Sequence, residues 1–122
     1  MSISFSVPGP QVSTNAAYRK RGAGFGFFMT PEGHDYKTRI MFAAKKAMRG
    51  KAKLIEPCCV NVIYFRPSKR GDVDGPGKFV LDAMEGIVYE NDSVVTDFTQ
   101  QKRHDPKDPR TVVVIFGAGG EL

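Results

Sequence analysis

The sequence is poor in cysteine: only Cys58 and Cys59 occur in 122 residues. Neighbouring strand residues point to opposite faces, so the pair is badly placed to bridge itself, and a reducing, cytoplasmic compartment is expected. There is no second cysteine pair, and His34 and His104 lie far from the first, which argues against zinc. Long apolar runs are also missing. The longest, Val112 to Phe116, is far below the roughly 18 residues of a membrane span. No charged stretch followed by an apolar one opens the chain, so a soluble protein that is not secreted is expected. Glycines 22, 24 and 26 lead into Phe27 without a strand-to-helix context, so they do not form a phosphate-binding fingerprint and no nucleotide cofactor is expected.

What is present is an ordinary globular composition, 41% hydrophobic and 25% charged, of a size for one domain over residues 1–122. Charge is unevenly spread. Residues 1–70 carry 13 Lys and Arg against three Asp and Glu, whereas residues 71–122 carry five against ten. A basic half calls for a polyanion, and nucleic acid is the commonest one. Between Asp72 and Asp97 stand seven carboxylates and a single base, Lys78. A protein that merely coats DNA has little use for such a cluster.

Ile3 to Val7 alternates with period two and stops at Pro8-Gly9-Pro10, which predicts a strand. Residues 11–27, rich in Gly, Ser, Asn and Arg, read as a mobile basic loop. Thr30 caps a helix that begins at Pro31, carries Glu32 in its first turn, shows an apolar stripe of Tyr36, Ile40, Ala44, Ala47 and Met48, and ends at Gly50. Pro57 to Phe65 predicts a buried strand, followed by the basic turn Arg66 to Gly71. A second helix starts near Gly75-Pro76-Gly77 and presents Val80, Ala83, Met84 and Ile87. Val94–Lys102 and Thr111–Phe116 read as strands joined by the turn from Asp105 to Pro109, and residues 117–122 as a flexible tail. The fold class is α+β: a mixed β-sheet with two helices packed on it.

Asp72 and Asp74 are two residues apart, so in an extended segment both carboxylates face one side. Such a pair suits a hard divalent cation, Mg²⁺ with Mn²⁺ able to substitute; Asp74 as a helix cap is the plainer alternative. Asp92, at the far end of the second helix, is the candidate third acid. Arg66, Lys69, Arg70 and Lys78 flank the pair and would draw in a phosphate, where a Lewis acid and a nearby cation serve phosphodiester hydrolysis. Lys78 fits that last role, although its spacing from Asp82 equally allows an ordinary i,i+4 pair. Phe25, Phe27 and Phe28 either wedge against bases or pack into a core or a subunit seam.

The segment Gly71-Asp72-Val73-Asp74-Gly75-Pro76-Gly77-Lys78 through Leu81-Asp82-Ala83-Met84, with Glu90-Asn91-Asp92-Ser93, resembles the RusA family of Holliday junction resolvases; Pro10 to Arg19 is similar to that family's N-terminal segment. The resemblance implies an intertwined homodimer that nicks opposed strands of a four-way DNA junction with Mg²⁺, in recombination and repair. It implies that Asp72, Asp74 and Asp92 bind the metal, that Lys78 is catalytic, and that Ser13, Thr14, Asn15, Arg19, Arg66, Lys69 and Arg70 touch DNA. The chain departs from the family pattern at Gly75, where Asn is usual, and at Asn91, where Asp is usual. A nuclease for flaps or forks and a catalytically silent binder of branched DNA are the alternatives.

Overall fold

The computed structural model describes residues 2–20, 26–73 and 75–118. Strand β1 (Ser2–Pro8) buries Ile3 and Val7 and pairs antiparallel with β6 (Arg110–Gly117), Ile3 facing Ile115 and Val7 facing Thr111. Strand β4 (Cys58–Arg66) lies next to β6, antiparallel, and also next to β5 (Val95–His104), parallel. The sheet order is therefore β1-β6-β4-β5. β5 and β6 follow each other in sequence, yet β4 separates them, so the turn at Asp105–Pro109 steps across a strand rather than closing a hairpin. A parallel neighbour requires a crossover. Helix α3 (Gly77–Met84) supplies it between β4 and β5.

Helix α2 (Pro31–Ala47) begins as the sequence predicts: the Thr30 hydroxyl accepts from the Gly33 N–H at 3.1 Å, and Pro31 occupies the first turn. The face with Tyr36, Ile40 and Ala44 is buried, and Tyr36 bonds Thr111 of β6 at 2.8 Å. α3 buries Phe79, Val80, Ala83 and Met84, with the Phe79 ring stacked on Tyr36. Both helices thus close over one core, the α+β arrangement expected. Ile87 falls beyond the end of α3 and is half-buried.

Residues 11–27 correct the expectation of a loop. Thr14–Ala17 form a short helix, α1, and Tyr18–Lys20 (β2) pairs antiparallel with Phe27–Met29 (β3) in a separate two-stranded ribbon. The Ser13 hydroxyl caps α1 by accepting from Ala16 N–H. Thr30 donates to the carbonyls of Ala16 and Ala17, which fastens α1 to the start of α2. Arg21 to Phe25 lie outside the described residues. At the other end, Gly117 is the last residue of β6 and is buried, not part of a tail; Ala118 N–H bonds Pro57, and residues 119–122 lie outside the description.

Candidate active site

After β4 the chain passes through Pro67 to Val73, and Arg66 sets the course of Arg70 to Asp72. That side chain is only 8% exposed. Its guanidinium donates to the carbonyls of Arg70 at 3.3 Å and Asp72 at 2.5 Å, and it lies over the Tyr64 ring. Arg66 is thus turned inward as a strut for the loop that carries Asp72. Gly71 permits this: its φ is +97°, and a Cβ there would come 2.7 Å from an Arg66 nitrogen. Lys102 of β5 adds a second tie by donating to Gly71 O at 2.9 Å.

An open cleft of about 240 Å³ borders this loop, with Gln11, Ser13, Arg66, Arg70 and Asp72 among its walls. Beside it, a smaller cleft gathers Arg66, Lys69, Lys102, Arg103 and His104. Lys69 and Arg70 are exposed and form no ion pair among the described residues. The parallel pairing that sets Arg66 opposite His104 brings Lys102 and Arg103 to the same end of the sheet. Their contribution was hidden in the sequence, because 30 or more positions separate them from the basic turn. Arg19 is exposed on β2, away from that turn in sequence, and Asn15 is exposed on α1.

α3 has an unusual start. Pro76 occupies the N-cap position and offers no side-chain cap. Thr14 supplies one from α1, its hydroxyl accepting from Phe79 N–H at 3.3 Å while its own N–H donates to Gly75 O at 2.8 Å. Gly77 is required by packing, since a Cβ there would meet Gln100 Oε1 at 2.5 Å and the Phe98 ring at 3.0 Å. The Gly75-Pro76-Gly77 departure from the family pattern therefore seats α3 closely on β5 and on α1.

On the exposed side of α3, Lys78 Nζ lies 2.8 Å from Asp82 Oδ1 and 3.5 Å from Asp92 Oδ2. Asp92 opens a short 3₁₀ turn, Asp92–Val94, in which the Asn91 side chain accepts from Ser93 N–H. The hydrogen bond to Asp82, and secondarily the nearness of Asp92, hold the Lys78 ammonium above its ordinary pKa, so it stays charged at neutral pH. Ligand oxygens of Asp82, Glu85 and Asp92 lie within 4.8 Å of one another, a donor set that suits a hard divalent cation. Asp72 stands outside that group, because its loop precedes α3 whereas Glu85 and Asp92 follow the helix end. Asp74 lies outside the described residues. Of the candidate acids, then, Asp92 is gathered with Lys78, and Asp82 and Glu85 join them.

The family model for Endodeoxyribonuclease RusA matches residues 8–116. The chain belongs to the RusA endodeoxyribonuclease family. No curated protein matches it. The matched stretch includes α1, the basic turn, α3 and the Asp92 turn, so the two clefts and the acid-lysine group all lie within the region that defines RusA membership.

Proposed function

We propose that this RusA-family chain resolves four-way DNA junctions by paired nicks in opposed strands, as a homodimer that uses Mg²⁺ or Mn²⁺. The observation that carries the reading is Lys78, held charged between Asp82 and Asp92 in a family of endodeoxyribonucleases. We assign the cation to Asp92, with Asp82 and Glu85 as the oxygen donors gathered beside it; Asp72 and Asp74, implied by the family resemblance, are further candidate ligands ahead of α3. A divalent cation held there would supply Lewis acidity and lower the pKa of a bound water.

The chain's own residues do the rest. Lys69, Arg70, Lys102 and Arg103 border clefts open enough for a phosphate backbone, and Ser13 lines the larger one. Arg66 keeps Asp72 in place through the main chain. Lys78 donates a full positive charge toward the phosphoryl oxygens as negative charge develops; loss of one such donor costs a factor of about 10²–10³ in rate. A four-way junction presents two strands related by approximate two-fold symmetry, which an isologous dimer matches with one site per subunit.

The test offers a synthetic four-way junction, a flap, a fork and a linear duplex to the protein in Mg²⁺, with nick positions mapped on every strand. Symmetric paired cuts confined to the junction are expected. Preferential cutting of flaps or forks would replace the junction with those structures, and no cutting of any substrate in Mg²⁺ or Mn²⁺ would overturn the nuclease reading.

A further inference from the structure

The β2–β3 ribbon carries a feature the hydrolytic site does not use. Along it Tyr18 faces Met29 and Lys20 faces Phe27. Cross-strand partners share a face, and alternate residues of one strand do too, so Tyr18, Lys20, Phe27 and Met29 all stand on one side. The inner pair is half-buried, and the Tyr18 ring meets the Phe79 ring edge-on with centroids 5.8 Å apart, which fixes it against the core. The outer pair projects. Phe27 is 69% exposed, a large ring left in water beside an exposed lysine.

Between this face and α1 lies an open groove of about 380 Å³, lined by Thr14, Asn15, Tyr18 and Phe27. Thr14 is the residue that caps α3, so one wall of the groove is bonded to the helix that bears Lys78. The Asn15 side chain is exposed and makes no hydrogen bond among the described residues. Two aromatic rings, a free amide and a cation are the groups that hold an unpaired base: the rings stack, the amide bonds its edge, the cation meets the neighbouring phosphate. Charge favours the same occupant, for no Asp or Glu occurs before Glu32. A second copy seated here would bring like charges together.

We propose that this groove takes a nucleobase unstacked at the crossover of branched DNA, with Phe27 and Tyr18 as its stacking walls, Asn15 on its edge and Lys20 on the adjoining phosphate. The inference rests on the branched-DNA reading above. It goes beyond hydrolysis, assigning the ribbon to recognition of the open branch point.

The test uses the full chain in EDTA, where nothing is cut, and a four-way junction with 2-aminopurine at the crossover. Wild-type protein is expected to change the probe's emission on binding. Phe27→Ala is expected to abolish that change and weaken junction binding about five- to a hundredfold, the range of one lost base–aromatic stack, with linear duplex binding altered less than about twofold. Phe27→Trp should restore both. Because Phe27 is exposed, neither substitution disturbs the core. Unchanged emission and affinity in Phe27→Ala would overturn the inference. So would a change of oligomeric state in sedimentation, which would make the ring a subunit seam. Wild-type protein that cuts junctions while the probe stays silent would sink the base pocket alone; failure to cut any branched DNA in Mg²⁺ would sink the nuclease reading with it.

Discussion

At the scale of single residues, Gly71 shows how backbone and site are joined. Its positive φ and the approach of Arg66 within 2.7 Å of where a Cβ would stand leave room only for glycine. Arg66 cannot simply swing aside, because its terminal nitrogens are committed to Arg70 and Asp72 carbonyls in a buried setting. Gly71→Ala is therefore expected to lose about 1–3 kcal/mol of stability, measured by thermal or urea unfolding, with a larger proportional loss of junction affinity. Unchanged unfolding would show that the strut does not hold the loop. The sequence displayed the i,i+4 spacing of Lys78 and Asp82, so that contact was legible. It did not display that Arg66 points inward: a basic turn reads as solvent-facing until the main-chain carbonyls it satisfies are known.

At the scale of elements, legibility followed periodicity. β1 and α2 declared themselves through period-two and stripe patterns with a threonine cap, and their observed starts lie within a residue of expectation. α1 has four residues, too few for any periodicity, and the ribbon's strands have three each, so glycine and arginine content dominated the reading of residues 11–27. Strand order was equally hidden, since β5 and β6 adjoin in sequence but pair with β4 on its two sides. The dependence of α3 on Thr14 comes only from tertiary structure. Thr14→Val leaves the Phe79 N–H without its acceptor and is expected to cost about 0.5–2 kcal/mol, the range for loss of a helix cap. Unfolding measurements on that variant check it, and no loss would mean that the α1–α3 tie carries no weight.

At the scale of the whole molecule, the charge asymmetry visible in the sequence takes a spatial form. Basic side chains from the turn after β4 and from the end of β5 line adjoining clefts, while Asp82 and Asp92 pair with Lys78 and gather with Glu85. Under the proposed function, the first region attracts the polyanion and the second holds the groups that cut it. That reading gives a use to three of the seven carboxylates between Asp72 and Asp97, namely Asp82, Glu85 and Asp92. The most direct test is single-turnover cleavage of a four-way junction in Mg²⁺ by wild-type protein and Asp92→Asn, with junction binding measured in parallel. The account predicts at least a ~10²-fold fall in cleavage rate with affinity held within about twofold. Cleavage by Asp92→Asn at the wild-type rate would contradict it.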